Sequence, residues 1–269
     1  MTDTNIAFAG SIPARYDRYL GPALFEPYAE DLAARIPTGA KRVLEVACGT
    51  GVVTRKLRES LPKGTLITAT DLAEAMVAYA SAKLPPSRDL EYRQADATAL
   101  PFADGTYDAV VCQFGVMFFP DKALAFREAR RVLMPGGTFI FSVWDDFEHN
   151  PVSKEAQETI VSLYASDPPQ FYKIPFGFHD AQAIRSLLDR AGFTNVSIQA
   201  MSFRSRSPSA RDYATGLVTG SPMATAIQER GTPTLEEVTA KVAAALEQAF
   251  GAGPVDAPMR ALVVTATAG

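Results

Sequence analysis

Apolar and polar positions along this chain change period repeatedly, and the changes mark out its elements. Short apolar runs at 43–46, 65–70, 107–112 and 138–143 have the length and β-branched content of buried strands. A more mixed run at 91–97 reads as a further strand between the second and the fourth. Between these runs the spacing is helical, most clearly over 121–132, which is followed by the turn signal Met134-Pro135-Gly136-Gly137. Strand and helix alternating in this way predict right-handed crossovers and a doubly wound, mostly parallel sheet. An amphipathic stretch at 23–36, closed by Pro37-Thr38-Gly39, precedes the first strand, and residues 1–40 are expected to form an N-terminal arm and helix. After Trp144 the pattern loosens. A helix is expected at 153–165, then a Pro-rich loop, a helix at 179–191 ended by Gly192, and a sixth strand at 195–204. Residues 207–253 read as helical with breaks at Gly220-Ser221-Pro222 and Gly231-Thr232-Pro233, and a last strand is expected at 260–266.

The first strand runs into Ala47-Cys48-Gly49-Thr50-Gly51 and then into a helix. Glycines at such a turn let the backbone turn sharply and approach a ligand, and amides at the helix start can receive an anion. Glu45 places a carboxylate just before the turn, which suits a ligand that also carries positive charge. A molecule with a carboxylate, an ammonium and a sulfonium fits this better than one with a pyrophosphate, and S-adenosylmethionine is such a molecule. Asp71 ends the second strand, where it is placed to hold both ribose hydroxyls, and Asp96 at the tip of the third is offered to an adenine amino group. A nicotinamide-binding domain would share the spacing to Asp71, but its fingerprint needs a third glycine where Thr54 stands.

The stretches LEVACGTG (44–51), TATD (68–71), QADATALPFADGTYDAVVC (94–112) and RRVLMPGGTF (130–139) resemble the class I S-adenosylmethionine-dependent methyltransferases, and most the small-molecule group of ubiquinone/menaquinone-type methyltransferases. The resemblance covers about residues 40–200. One departure is Ala47, where the family often has Gly. The resemblance implies an α/β, Rossmann-like sheet of seven strands. Its last strand is antiparallel and inserts beside the fifth. A core over 41–269 would carry inserted helical caps at about 145–178 and 207–256. It further implies that Glu45, Ala47, Gly49, Thr50 and Gly51 contact the methyl donor, with Asp71, Leu72 and Met76 after the second strand. Asp96, Ala97 and Gln113 would complete that contact. Tyr16 and Tyr19 resemble tyrosines with which relatives close over the cofactor, Tyr16 on the donor side and Tyr19 on the acceptor side.

The acceptor is less legible. Phe114, Met117 and Phe118 follow the fourth strand and Trp144 the fifth, so an aromatic, Met-containing wall is expected at the crevice, suited to an apolar or aromatic small molecule. Methyl transfer from a sulfonium needs mainly alignment, and a general base only if the acceptor must lose a proton. His149 is a candidate base, and Tyr16 or Asp145 could also reach the crevice. A nicotinamide-dependent oxidoreductase and a non-catalytic S-adenosylmethionine-binding protein remain as alternatives.

Composition narrows the classes further. A hydrophobic content of 47% over 269 residues can bury a sizeable core, and the net charge of −4 without a basic stripe argues against nucleic acid as a partner. Two cysteines, Cys48 and Cys112, and two histidines give neither a disulfide framework nor a metal-ligand spacing. No apolar run reaches about 18 residues, so no membrane span is expected. The start carries Asp3 and no long apolar run, unlike a signal peptide. A cytoplasmic location is expected, and a homodimer is kept open.

Overall fold

The computed structural model describes residues 12–269; positions 1–11 of the expected arm lie outside the described residues. The described chain opens with α1 (Ile12–Arg15), the π-helical Tyr16–Phe25, and α2 (Glu26–Ala34). The sheet and its helices follow as β1 (Arg42–Val46), α3 (Val52–Ser60), β2 (Leu66–Asp71), α4 (Glu74–Lys83), β3 (Leu90–Gln94), β4 (Tyr107–Gln113), α5 (Lys122–Val132) and β5 (Leu133–Trp144). Then come α6 (Pro151–Ser162), α7 (Ala181–Arg190), β6 (Phe193–Ser207), α8 (Ala210–Thr219), α9 (Met223–Arg230), α10 (Leu235–Phe250) and β7 (Val255–Ala268).

The seven strands lie in the order β3-β2-β1-β4-β5-β7-β6. β1 pairs in parallel with both β2 and β4, so the strand order reverses there and opens a crevice at the strands' carboxyl ends. β7 runs antiparallel to both β5 and β6. Val43, Leu44, Val110 and Val111 are fully buried in the centre of the sheet, as the continuous apolar runs require of strands covered on both faces.

Helix starts follow local chemistry. Asp121 caps α5 by accepting the Leu124 amide at 2.8 Å, and Asp180 caps α7 through the amides of Gln182 and Ala183. Thr234 and Glu237 form a capping box at α10.

Three expectations are corrected. Residues 134–137 do not form a separate turn ahead of the fifth strand but lie inside β5 as an irregular bulge. Pairing passes from Tyr107 with Leu133 to Ala109 with Thr138, so two steps on β4 match five on β5. Gly136 there takes φ +79°, and a Cβ on Gly137 would stand 2.9 Å from the Met134 carbonyl, so the glycines serve the bulge. β6 and β7 are also longer than the apolar runs suggest, because polar residues continue the ladder to Ser207 and Val255, with Arg204 Nε donating to Asp256 across the pair at 2.6 Å. Finally, α6 begins at Pro151 and ends at Ser162, earlier than the spacing suggests, because Pro suits the first helical turn.

Helices α6, α8 and α10 pack on one another outside the strand–helix alternation, and α8 also packs on the π-helical segment. That last contact is close. A Cβ on Gly216 would stand 2.7 Å from Tyr19 Cβ and Leu20 Cδ2, and one on Gly220 would stand 3.1 Å from the Tyr16 amide nitrogen. Two glycines one helical turn apart thus let α8 lie against the backbone of the segment that carries Tyr16.

Candidate active site

At the carboxyl ends of β1, β2 and β4 a cavity of about 850 Å³, partly open to solvent, is lined by Ala47 and Gly49 from the first turn and by Asp71, Leu72 and Met76 after β2. Asp96 and Ala97 after β3, Gln113 and Phe114 at the end of β4, and Tyr16 from the π-helical segment complete most of its wall. The turn takes left-handed backbone at Ala47 (φ +56°), Gly49 (φ +54°) and Gly51 (φ +82°). A Cβ at Gly49 would meet no atom within 4 Å, so it would project into open space at the cavity. The turn is fastened to β2: Asp71 Oδ2 accepts the Gly49 amide at 2.8 Å and Asp71 Oδ1 the Ala73 amide at 2.9 Å. Burial pushes the Asp71 carboxyl up, and these amide bonds offset only part of that rise. Asp96 Oδ1 accepts both the amide and the hydroxyl of Thr98, at 2.8 Å each.

Three residues of the expected donor set stand behind the wall rather than on it. Glu45 is 1% exposed and accepts the Thr54 hydroxyl at 2.6 Å, and burial pushes its carboxyl up to about 8, with Asp71 nearby adding to the rise. Gly51 packs on α4, where a Cβ would stand 3.1 Å from Ala80 Cβ. Thr50 is buried and its Oγ1 has no partner among the described residues.

A second cavity, of about 540 Å³, adjoins the first, and Tyr16, Phe114 and Phe118 line both. Here Met117 and Trp144 join Phe25, Phe171, Tyr172 and Phe176. Phe114 and Trp144 stack with ring centroids 4.0 Å apart and planes 9° from parallel. Phe114 holds φ +51°, a conformation uncommon for an aromatic residue, in presenting its ring there. Of the residues expected at the crevice, Phe114, Met117, Phe118 and Trp144 line this cavity, and the 171–176 aromatics, Phe25 and Leu217 of α8, which the pattern did not single out, line it too. The FYKIPF run was visible as a Pro-rich loop; only packing brings it to the crevice.

Two expected residues fall elsewhere. Tyr19 lies on the outer side of the segment, under the Arg18 guanidinium and against Gly216, and lines neither cavity. His149 lines neither cavity as well: its Nδ1 sits 2.6 Å from Asp146 and 2.8 Å from an Arg260 nitrogen, while Asp145 pairs with the same Arg260. Arg260 supplies the positive charge at these carboxylates, and with Asn150 the group ties the end of β5 to β7. The geometry gives His149 and Asp145 a structural task and no access to the crevice.

The donor cavity fits S-adenosylmethionine by the chemistry of its wall. Two carboxylates, Asp71 and Asp96, suit hydroxyl and amino donors and would repel a pyrophosphate. Gln113 Oε1 is buried without a partner among the described residues, while its Nε2 donates to the Phe25 carbonyl at 3.2 Å; a ligand bearing donors would satisfy such an orphan. The position of the third dinucleotide glycine is filled by Thr54, fully buried and bonded to Glu45.

Comparison with known proteins agrees. A family model described as a methyltransferase domain matches residues 44–141. A demethylmenaquinone methyltransferase of Thermus thermophilus is 43% identical over 114 residues, covering 42% of this chain and 50% of the relative. A ubiquinone/menaquinone biosynthesis C-methyltransferase of Idiomarina loihiensis is 30% identical over 176 residues, covering 60% of this chain and 69% of the relative. The structure of Haemonchus contortus phosphoethanolamine N-methyltransferase 2, in complex with phosphomonomethylethanolamine and S-adenosylhomocysteine, superposes with a TM-score of 0.60 at 13% identity, covering 95% of this chain and 56% of that one, which is a likeness of fold. Fold, cavity and matched domain define a methyltransferase that uses S-adenosylmethionine. The chain belongs to the class I S-adenosylmethionine-dependent methyltransferases, in the ubiquinone/menaquinone-type group. Its match spans half the length of the Thermus relative. Among the described residues no helix is long and apolar enough to cross a membrane.

Proposed function

We propose that this protein transfers the methyl group of S-adenosylmethionine to a small, apolar or aromatic acceptor held in the second cavity, and that it does so in the cytoplasm. The observation that carries this is the shared wall: Tyr16, Phe114 and Phe118 line both the carboxylate-bearing cavity and the aromatic one. S-adenosylmethionine supplies a methyl group already activated on a sulfonium with a neutral leaving group. What remains for the chain is to align and to exclude water from the reacting atoms, while the proton that a hydroxylated ring loses on methylation passes to bulk solvent. Asp71 and Asp96 hold the nucleoside end, the Gly49 turn receives the amino-acid end, and Gln113 offers its orphan oxygen to a donor group. The stacked Phe114–Trp144 pair presents a flat face to the acceptor.

The segment 12–34 and the parts at 145–178 and 207–256 serve as arm and caps over this crevice, a reading supported by Tyr16, Leu24, Phe171, Tyr172 and Leu217 in the walls. Relatives named for demethylmenaquinone and for ubiquinone/menaquinone biosynthesis make a quinone-like ring the first acceptor class to try.

Native mass spectrometry of the purified protein, followed by calorimetry with S-adenosylmethionine and with NADH, tests the donor. Incubation with hydroquinones and naphthols, monitored for S-adenosylhomocysteine and a product heavier by one methylene, tests the transfer. Binding of S-adenosylmethionine with no methylated product from any arene in the panel would overturn the proposed acceptor class.

A further inference from the structure

We propose that Ser153 is the specificity-determining residue of the aromatic chamber, and that the chamber selects a neutral, planar, oxygen-bearing arene, one of whose oxygens the Ser153 hydroxyl reads. This rests on the chamber being the acceptor site, as argued above.

The wall sets shape and charge first. The Phe114–Trp144 stack is a flat apolar face, and such faces favour rings in offset or edge contact. Among the described lining residues there is no Asp, Glu, Lys, Arg or His. A carboxylate or an ammonium entering it would lose its hydration and gain no counter-charge from this wall.

Beside Tyr16, whose ring stacks on Phe25 and borders both cavities, three further hydroxyl-bearing residues line the chamber, and they decide which neutral arene. Tyr172 donates to the Leu217 carbonyl at 2.7 Å. Ser221 donates to the same carbonyl at 3.0 Å and accepts the Met223 amide at 3.3 Å. Both are committed to holding the turn after α8. Ser153, in the first turn of α6, is 6% exposed, lines the chamber, and has no hydrogen-bond partner among the described residues. The residue is buried, yet its oxygen is not among the sealed unpartnered atoms, so the hydroxyl opens onto the chamber it lines. It can donate to a carbonyl or accept from a hydroxyl, so it reads either form of an oxygenated ring. Mechanistically it is a positioning residue: it turns the ring within its plane and so chooses which atom faces the donor cavity.

Binding is measured on the full chain without any methyl donor, so the outcome does not depend on transfer. Equilibrium dialysis compares 1-naphthol, naphthalene and 1-naphthoate. Quenching of Trp144, the chain's single tryptophan, by 1,4-naphthoquinone reports occupancy of the chamber. The wild type is expected to quench, to prefer naphthol over naphthalene by about fivefold, as one neutral hydrogen bond allows, and to bind naphthoate most weakly. Ser153→Ala should bring the two neutral probes within about twofold of each other and leave naphthalene binding unchanged. Ser153→Thr should restore the preference. An Ala variant that keeps the full preference overturns the role of Ser153. Naphthoate bound as tightly as naphthol, or no quenching by the quinone, overturns the selectivity of the chamber. Probe binding as described, with no methylation afterwards, would sink the proposed function but leave Ser153 as the residue that reads the ring.

Discussion

The carboxylate of Asp71 accepts the amide of Gly49 at 2.8 Å across 22 positions of sequence. The acid that ends β2 therefore holds the glycine turn that follows β1 while its side chain also lines the donor cavity. A single residue thus holds the scaffold and faces the cavity proposed for the methyl donor.

Asp71→Ala should consequently do two things. Hydrogen bonds to a charged group contribute about 1.5–3 kcal/mol each, so affinity for S-adenosylmethionine should fall by about tenfold to several hundredfold. The Gly49 and Ala73 amides also lose their acceptor, so the unfolding temperature should drop as well. Calorimetry and thermal unfolding measure the two separately. A folded variant with unchanged affinity removes Asp71 from the site.

The two glycines of the turn should separate in their effects. Gly49→Val sends its side chain into open space at the cavity and should abolish donor binding at modest cost in stability, about 1–2 kcal/mol for left-handed backbone. Gly51→Val meets Ala80 on α4 and should instead lower stability strongly. Urea unfolding alongside donor titration distinguishes them; equal loss of affinity in two equally stable variants contradicts the placement.

Ala47 and Gly115 form a complementary pair. A Cβ on Gly115 would stand 2.5 Å from Ala47 Cβ and 2.8 Å from Cys112 Sγ. Gly115→Ala should cost about 1–3 kcal/mol from overpacking. Adding Ala47→Gly frees space and also relieves the left-handed φ of +56°, so the double variant should recover part of the loss. A double-mutant cycle should show coupling of at least about 0.5 kcal/mol; strict additivity would falsify the contact.

Glu45 should leave a signature in pH. Its carboxyl is raised from an ordinary 4.5 to about 8 by burial, so the folded state keeps a proton that the unfolded state releases. The folded state binds more protons between those values, and this group's contribution to stability falls as pH rises from 4.5 to 8, then levels off. Glu45→Gln keeps an acceptor for Thr54 and has no proton to lose. The stability difference, variant minus wild type, should therefore grow across that window. Parallel urea midpoints from pH 4 to 9 (roughly the span a buried carboxyl can titrate over) would show that Glu45 is not held neutral.

The donor half of the site was legible in sequence for a physical reason. A crevice at a topological switch point is built from strand ends and the turns that follow them, and both are local. Apolar runs located β1, β2 and β4; Asp71 and Gln113 stand one residue and Gly49 three residues beyond these runs, and Asp96 two beyond β3. The limits of locality appear at the same place. Glu45 and Gly51 belong to the same short motif, yet one turns inward to Thr54 and the other onto Ala80, because alternation along a strand and the angle of a helix decide which face a side chain takes. His149 looked reachable from its position after β5, but Arg260 of a distant strand claims it.

What the sequence determined alone is the order of strands and helices, the glycine turn with its acids, and the family these motifs carry, since each depends on residues near one another in the chain. Tertiary structure alone decided the aromatic chamber. Its walls come from the π-helical segment, β4, β5, α6, the 171–176 loop and α8, brought together by contacts such as Gly216 against Leu20 and Tyr172 on the Leu217 carbonyl. No local pattern encodes such a cavity, because burial of each of those side chains in a core or in a binding wall requires the same apolar residue, and only long-range packing decides where space is left between them.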